Sequence, residues 1–414
     1  MTIQAWVIAM SSSQLRSFRH TATVIALEIE TALCEVAALV EKEAELVTRQ
    51  KDTERKRTSK SKGTASNREK ELNAKALEVK ERRSKLAEFL KEFFDGVFIH
   101  RYRDLDPNIR AECVHSMGNW LKKFPAHFLD GQYLRYIGWV LSDANTHVRL
   151  EAVKSLIPLY MKEDFIVSLT SFTDRFKPRL VEMATGDTEV AVRVAAVQVL
   201  SAIDTQGLLE ENQRSVLCLL VFDTDIKVRR AVSNFVRGVL EDETEQRLVG
   251  KRQPTENERK RANLKALAKH LVEWSRKLDQ ENAVGEDTTD GELSSQDELP
   301  SGNTSMRSIG TIPAEQKGRI ALAVESLWND VEAIGDWESM LELLLLDHSA
   351  GTDTSQGSSR RKKAKKVVDD LLVDEAWRLD ESEEAILLEV LVASLRKVKS
   401  ETSSLKKVCL FLHI

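Results

Sequence analysis

Four aspartates are each followed six residues later by an arginine, and these are the most regularly spaced charged side chains in the sequence. The arginines stand 39, 44 and 36 residues apart. A turn carboxylate can accept hydrogen bonds from the amides that begin a helix, and a guanidinium group can bind the acid of a neighbouring unit. We therefore expect a structural ladder built from Asp104 with Arg110, Asp143 with Arg149, Asp187 with Arg193, and Asp223 with Arg229.

Motifs that would predict catalysis or a bound metal are missing from the sequence. It has no glycine-rich phosphate loop, no His-Glu-x-x-His and no Gly-x-Ser-x-Gly. Its 8 histidines are scattered, and its 4 cysteines have no spacing suited to zinc or a redox turn. We expect reduced thiols, no metal site, no cofactor and no enzymatic activity. An enzyme whose site converges from distant residues is an alternative, and it would need a deep pocket lined by titratable groups.

The charged pairs lie in a repeat of two helices. In each unit an apolar stretch comes first, then the aspartate-bearing turn, then a second helix that contains the arginine. Apolar residues recur at the same sequence positions after each arginine, which predicts that the second helix of all four units buries the same face. These residues are Cys113, Ala152, Ala196 and Val232 at the third position, Met117, Leu156, Leu200 and Val236 at the seventh, and Trp120, Leu159, Ile203 and Val239 at the tenth. The signature resembles that of HEAT repeats.

Two long amphipathic segments before the repeats predict an antiparallel coiled-coil hairpin. Residues 49–85 hold 14 Lys or Arg against 6 Asp or Glu, which fits either a solvated face or contact with an acidic partner. The predicted first seam contains Ile25, Ile29, Ala32, Val36, Leu39 and Leu46, with Glu43 as an interruption. The predicted second seam contains Leu72, Ala76, Val79, Leu86, Leu90 and Phe93, with Arg83 as an interruption.

Composition favours a soluble, all-α chain, because 17 Gly and 7 Pro are few for 414 residues and no apolar run approaches the roughly 20 residues that cross a bilayer. We predict a HEAT-repeat α-solenoid with a protruding hairpin. Its parts are N-terminal helices and hairpin at 1–94, repeats at 95–240, a further helix at 241–278, an acidic disordered linker at 279–317, and C-terminal helices at 318–414. The basic run RRKKAKK at 360–366 fits a nuclear import signal or a polyanion contact.

Residues 93–160 resemble the stromalin conserved domain, which is found in the HEAT-repeat subunit of cohesin. The resemblance is carried by VFIHRYRD, YLRYIGWVLSD and VRLEAV, followed by SFTDRFKPRL, in that order. It extends over about residues 1–240, is weak beyond them, and is closest to fungal members. Stromalins are longer than this chain, so we expect a fragment or a truncated gene product.

The resemblance implies a non-enzymatic scaffold subunit of cohesin that is nuclear, chromatin-associated and active in sister chromatid cohesion. The implied partners are kleisin, duplex DNA, the cohesin loader and regulatory proteins, with no membrane. It also implies a pocket, shared between kleisin and short aromatic peptide motifs, at Tyr102, Trp139 and Arg175. Trp139 lies opposite the apolar stripe of its helix, so either a neighbouring repeat buries it or it anchors a peptide. Arg175 is either such an anchor or a solvated helix residue.

Basic residues outside the ladder are the candidates for contact with the DNA backbone, together with the hairpin. Such binding would be independent of base sequence and sensitive to salt. For any one of these residues a solubilising role is the alternative. The candidates are Arg101, Arg103, Lys122, Lys123, Arg135, Lys154 and Lys162. At the level of function, the alternative is another HEAT adaptor, such as a transport receptor or a phosphatase scaffold.

Overall fold

The computed structural model describes residues 3–60, 67–249, 254–286, 318–348 and 377–411, and all regular elements in these ranges are helices. The prediction of an all-α fold is confirmed. Most of the predicted acidic linker and the whole of the basic run at 360–366 lie outside the described residues. The chain forms two compact units, Met1–Leu180 and Val181–Ile414.

The first unit begins with three helices. They are α1 (Ile3–Ser11), α2 (Arg16–Lys60) and α3 (Asn67–Phe93). With 45 and 27 residues, α2 and α3 pack along each other as an antiparallel hairpin. Glu43 of α2 pairs with Arg82 of α3 at 3.2 Å, and Glu41 pairs with Arg83 at 2.8 Å.

The predicted seam of α2 is wrong. Ile25, Val36, Leu39 and Leu46 are 41, 48, 65 and 56% exposed. The buried apolar residues of α2 lie beside this seam, and they are Ala22, Ala26, Leu27, Cys34, Ala37, Val40 and Val47, while Thr23 and Glu30 are buried with them. Most of them are small, so α1 and α3 can approach the α2 backbone closely on this side. In α3 the prediction is confirmed at Val79, Leu90 and Phe93, which are all buried.

The remainder of the first unit consists of helix pairs connected by short turns. A π-helical turn (Phe94–Phe98) continues from α3. It is followed by α4 (Ile99–Arg101), α5 (Pro107–Lys123), α6 (Pro125–Phe128), α7 (Gly131–Val140), α8 (Thr146–Tyr160) and α9 (Ile166–Gly186). Pro107 opens α5 at its first position, where the missing amide costs no helical hydrogen bond. The boundary between the two units falls inside α9.

The second unit contains the last two repeat helices and the C-terminal helices. Its elements are α10 (Val190–Thr205), α11 (Glu211–Cys218), α12 (Ile226–Leu248), α13 (Glu256–Glu286), α14 (Arg319–Leu327), α15 (Glu332–Gly335), α16 (Trp337–Leu344) and α17 (Glu381–Phe411). In this unit α12 packs against α10, α13 and α14, while α17 packs against α13, α14 and α16. Ala262 and Trp377 form a buried cluster with Leu248 and Leu346 packed against it.

The predicted buried face of the repeats is confirmed. All eight residues three and seven positions after the ladder arginines are fully buried in α5, α8, α10 and α12. At the tenth position Trp120, Leu159 and Ile203 are buried, whereas Val239 is half-buried and its neighbour Leu240 is buried instead. The register therefore shifts by one residue only near the middle of α12.

The register of α2 can be tested with two adjacent residues. We expect Val40→Glu to lower the free energy of unfolding by about 3 kcal/mol or more, because it buries an unpaired carboxylate. Leu39→Glu should change it by less than about 0.5 kcal/mol, because Leu39 is 65% exposed. Urea unfolding followed by circular dichroism measures both. A larger loss for Leu39→Glu than for Val40→Glu would restore the predicted seam.

Candidate functional site

The ladder aspartates shape the turns that precede the second helices. Each accepts a hydrogen bond, 2.8 to 3.0 Å long, from the amide two residues further on. The pairs are Asp104 with Asp106, Asp143 with Asn145, Asp187 with Glu189, and Asp223 with Asp225. We expected the ladder aspartates themselves to accept from the first helical amides. In three turns the residue two positions further along the chain does so instead: Asp106, Asn145 and Asp225 accept from amides of α5, α8 and α12.

The ladder arginines donate hydrogen bonds to backbone carbonyls at or near the same turns. Three of them donate from Nη1 to the backbone carbonyl of their own aspartate, Arg110 to Asp104 at 2.8 Å, Arg149 to Asp143 at 2.9 Å, and Arg229 to Asp223 at 2.7 Å. Arg193 differs, since its Nε donates to the carbonyl of Ala184 in α9 at 3.1 Å. Each guanidinium thus satisfies backbone carbonyls that a helix or turn end leaves unpaired.

Two arginines also bind the aspartate of the next turn. Arg110 donates to both carboxylate oxygens of Asp143 at 2.7 Å each. Arg193 makes the corresponding pair of contacts with Asp223, 3.3 Å to Oδ1 and a shorter one to Oδ2. Asp223 is fully buried, and Arg193 is 8% exposed. These are the bidentate geometries in which arginine binds carboxylates most strongly.

The ladder extends beyond the four predicted pairs. Arg19 of α2 binds both oxygens of Asp104 at 3.0 and 3.4 Å. Although burial raises the pKa of Asp104, the amide of Asp106 and the guanidinium group of Arg19 lower it by more, so the pKa lies below its ordinary value. In the second unit, Arg229 reaches Glu325 of α14 at 3.4 Å. Neither Arg19 nor Glu325 belongs to the sequence motif.

Tyr102 lies in a cluster of aromatic rings at the end of the first repeat helix. Its ring stacks on Phe98 at 5.8 Å between centroids and meets Tyr136 edge-on at 5.0 Å. Tyr102 is 9% exposed, so most of the ring belongs to the core. It is also stacked with Trp139 at 6.5 Å, so the structure brings two of the three predicted pocket residues together.

Trp139 is the exposed edge of this cluster. It is 44% exposed, so no neighbouring repeat buries it. Its ring contacts Tyr136 edge-on at 5.3 Å. Arg135 lies over both rings, with its guanidinium carbon 5.2 Å from the centroid of Tyr136 and 5.5 Å from that of Trp139. Arg103 lies over Tyr102 at 5.4 Å. The result is an aromatic platform bordered by guanidinium groups, which suits an aromatic ligand group with an acidic neighbour.

Arg175 lies on α9, next to the residue at which α9 crosses α7. A Cβ atom at Gly138 would lie 2.2 Å from the ring of Phe176, so α9 packs directly against the α7 backbone there. Gly138 precedes Trp139, and Phe176 follows Arg175, so the backbones that carry Trp139 and Arg175 are close at this crossing. Arg175 is exposed, with its guanidinium carbon 5.3 Å from the centroid of Phe176. Sequence analysis missed Tyr136, Gly138 and Phe176.

The seven candidates for DNA contact fall into separate groups. Arg101 donates to the buried Asp104 at 2.6 Å, and its side chain is 18% exposed. Arg103 and Arg135 border the aromatic platform. Lys123 pairs with Glu35 of α2, and Lys162 lies 4.8 Å from the ring centroid of Phe165. These residues do not form one surface.

Lys122 and Lys154 are brought together across α5 and α8. Both are exposed, and both line a depression of about 280 Å³ with His115 and Glu151. Lys154 pairs with Glu151 at 3.2 Å, and His115 lies 3.1 Å from the same carboxylate. Although burial raises the pKa of Glu151, the hydrogen bonds from His115 and Lys154 keep it below its ordinary value.

Another cavity, of about 340 Å³, lies between α2, α3 and α6. Glu41 and Arg83 line it and bind each other. His127 also lines the cavity. Its Nε2 atom is hydrogen-bonded to the Tyr133 hydroxyl at 3.0 Å, and burial lowers the pKa of the His127 imidazole. Of the charged groups of the cavity, Glu41 and Arg83 thus neutralise each other, and Lys80 lines the cavity beside them.

Cys34, Cys113 and Cys218 are buried free thiols, and burial raises the pKa of each. The described residues contain no group of three or more His, Cys, Asp or Glu able to hold a metal ion. In the same ranges no helix is both long and apolar enough to span a bilayer.

The stacked helix pairs and their ion-pair ladder define a HEAT-type helical repeat protein. Residues 103–177 match the model of the stromalin conservative domain, and residues 1–75 match that of the STAG domain. These two stretches therefore belong to the stromalin family.

Individual relatives are similar to this chain over different lengths. Cohesin subunit psc3 of Schizosaccharomyces pombe is 39% identical over 246 residues, which cover 59% of this chain and 25% of that protein. Cohesin subunit SA-1 of Xenopus laevis is 30% identical over 368 residues, covering 88% of this chain and 26% of its own. The chain thus spans about a quarter of the length of these relatives. The solved structure of cohesin subunit Scc3 from Z. rouxii has the same fold, with a TM-score of 0.66 and 20% identity over 94% of this chain and 40% of that one.

The ladder can be tested at Arg193. We expect Arg193→Ala to lower the free energy of unfolding by about 3–5 kcal/mol, because it leaves the buried Asp223 carboxylate without its partner. Arg230→Ala is the matched control, since Arg230 is exposed on α12, and it should cost less than about 0.5 kcal/mol. Urea unfolding measures both values, and equal values for the two variants would contradict a structural role of this pair.

Proposed function

We propose that this chain is a non-enzymatic scaffold subunit of cohesin that acts in sister chromatid cohesion on chromatin in the nucleus. Its partners in this proposal are kleisin, duplex DNA, the cohesin loader and regulatory proteins. The proposal is supported by the two stretches that belong to the stromalin family and by relatives that are named cohesin subunits. Since the chain spans about a quarter of those relatives, the proposal concerns the part of the role that residues 1–414 carry.

The single observation that carries the proposal is the aromatic platform with its arginines. Trp139 projects 44% of its surface to solvent although it stacks on a buried aromatic cluster. Rigid aromatic residues that combine solvent access with a fixed orientation are favoured anchors at protein interfaces. Arg135 lies over the Trp139 ring and Arg103 over the neighbouring Tyr102 ring, and both offer donors to carboxylates of a bound segment. A segment of kleisin or a short aromatic motif of a regulatory protein fits this chemistry.

A non-enzymatic role is supported by how the reactive groups are used. The ladder acids and arginines bind each other, and the three described thiols are buried with raised pKa. In the cavity near His127, Glu41 is the one carboxylate among the described lining residues, and it is bound by Arg83.

For DNA, we propose the face of α5 and α8 that carries Lys122 and Lys154. The two ammonium groups line one depression, and His115 joins them there. Such a patch can bind phosphates of the DNA backbone without reading bases. Glu151 holds Lys154 in position without burying it, since the Lys154 side chain is 51% exposed.

Binding of kleisin can be tested with two exposed tryptophans. We expect the chain to bind the central segment of the kleisin from the same organism, and Trp139→Ala to weaken this binding by about 2 kcal/mol, roughly thirty-fold in Kd. Trp6→Ala is the matched control, because Trp6 is 54% exposed on α1 and lies outside the platform. Isothermal titration of the folded variants measures the affinities. If both variants bind kleisin as tightly as the unchanged chain, the platform is not part of the kleisin interface. If the folded chain does not bind kleisin at all, the cohesin assignment is contradicted.

The DNA face predicts a change in salt dependence. Removal of two phosphate contacts by Lys122→Ala with Lys154→Ala should reduce the slope of log K against log salt concentration by about 1.8. The control removes the same charge at two exposed residues of α12, Lys227→Ala with Arg230→Ala, and should leave the slope unchanged. Fluorescence anisotropy with a labelled duplex at several salt concentrations measures the slopes. Equal slopes for both double variants would contradict this face.

A further inference from the structure

The exposed side of α2 carries an apolar residue at every seventh position. The row consists of Phe18, Ile25, Ala32, Leu39 and Leu46, and all five are exposed, Leu39 to 65% and Leu46 to 56%. A strict seven-residue period keeps side chains on one face of a helix that winds around a partner helix. The packing of the hairpin does not use this row, because α1 and α3 contact the adjacent row of smaller residues.

The groove between α2 and α3 already holds one helix at the end near the repeats. Val7 of α1 packs into a cluster with Ala26 of α2 and Phe93 of α3. Gln4 of α1 also donates a hydrogen bond to Glu92 of α3. The structure therefore contains an example of a short helix docked across α2 and α3.

Beyond α1 the groove continues towards the tip of the hairpin. There Leu39 and Leu46 of α2 remain exposed, and Phe89 of α3 is 43% exposed. Arg82 of α3 binds Glu43 of α2. Since residues seven apart lie on the same side of a helix, Phe89 faces the same side of the hairpin as Arg82. Both helices thus contribute apolar residues to this open part, which we call the hairpin groove.

Basic residues border the hairpin groove on both sides. On α3 these are Lys75 and Arg82, which are 52 and 43% exposed and both bind Glu43. On α2 they are Lys42 and Arg49, which are also exposed. The two acids of α2 in the same row, Glu28 and Glu35, lie nearer the repeats, and Glu35 pairs with Lys123. Arg82 also pairs with Glu78, and Arg49 pairs with Glu45. The hairpin sequence from residue 49 to residue 85 nevertheless holds 14 Lys or Arg against 6 Asp or Glu, and this excess of positive charge favours a ligand with acidic flanks.

We propose that the hairpin groove binds one amphipathic helix of another polypeptide, with apolar residues at heptad spacing and Asp or Glu beside them. The exposed row that enters the hairpin groove spans about 32 Å from Ile25 to Leu46, and this length matches a helix of roughly 21 residues. In a parallel two-fold pair of this chain the basic borders of the two grooves would face each other, so another polypeptide with acidic flanks complements the groove better than that arrangement does. This surface is separate from the aromatic platform, and the inference does not rest on the proposed cohesin role.

The groove can be tested with two synthetic fluorescent peptides of 21 residues that differ only in charge. Both carry Leu at the heptad apolar positions, and the flanking positions are Glu in one and Lys in the other. We expect the whole chain to bind the Glu peptide and to bind the Lys peptide at least ten-fold more weakly. Leu39→Glu with Leu46→Glu should weaken binding of the Glu peptide at least ten-fold. Leu77→Glu, on the far side of α3 and 64% exposed, is the control and should have no effect.

Several outcomes would overturn the proposal. They are no binding of the Glu peptide, equal binding of the two peptides, and an equal loss for Leu77→Glu. A dimer in sedimentation that Leu39→Glu dissociates would assign the groove to a second copy. Trp139→Ala should leave binding of the Glu peptide intact, which separates this proposal from that for the platform.

The natural occupant can be identified with a photo-crosslinking amino acid at Leu39 of the full chain in cells, with Leu77 as the control position. We expect the Leu39 crosslink to map by mass spectrometry to a helix of another protein that has the heptad pattern and acidic flanks. A crosslink to a second copy of this chain, or to a segment without that pattern, would overturn the proposal.

Discussion

The repeats depend on a carboxylate in the turn that makes two kinds of hydrogen bond, one within its own turn and one with an arginine of the preceding repeat. Asp143 accepts the amide of Asn145 within its own turn and two guanidinium hydrogen bonds from Arg110 in the preceding repeat. The oxygen Oδ1 serves both roles, because it accepts from the turn amide and from Nη2 of Arg110. The same contact fixes the local turn and the distance between consecutive helices, so local and long-range geometry are set together.

Aromatic residues provide the packing between the hairpin and the first repeat. Trp120, Phe98 and Phe94 fill the space between the hairpin and the first repeat, and Trp120 donates a hydrogen bond to Thr31 of α2 at 2.8 Å. Tyr136 and Trp139 extend this cluster to the surface. The exposed platform is therefore the outer edge of the core and not an isolated surface residue, which keeps its rings in a fixed orientation at little entropic cost on binding.

The repeats could be predicted from sequence, because their period is marked by charged residues and their buried faces follow from the helical period. The face of α2 that packs could not. That helix has two neighbouring apolar rows, and the larger residues, such as Leu39, fit a heptad better than the small residues that pack. Arg19 and Glu325 were missed because they meet the ladder from outside the repeat. Tyr136 and Phe176 were missed because their role depends on how closely α9 approaches α7.

The position of the platform on α7 depends on Gly138, a residue without a side chain. The ring of Phe176 occupies the space where a Cβ atom would lie, so the spacing of α7 and α9 is set by direct contact between ring and backbone. Trp139 follows immediately on the same helix. A movement of α7 towards α9 would press the Gly138 backbone into the Phe176 ring. The contact therefore opposes a shift of the helix that carries Trp139, so a ligand meets an indole ring whose backbone position is already set.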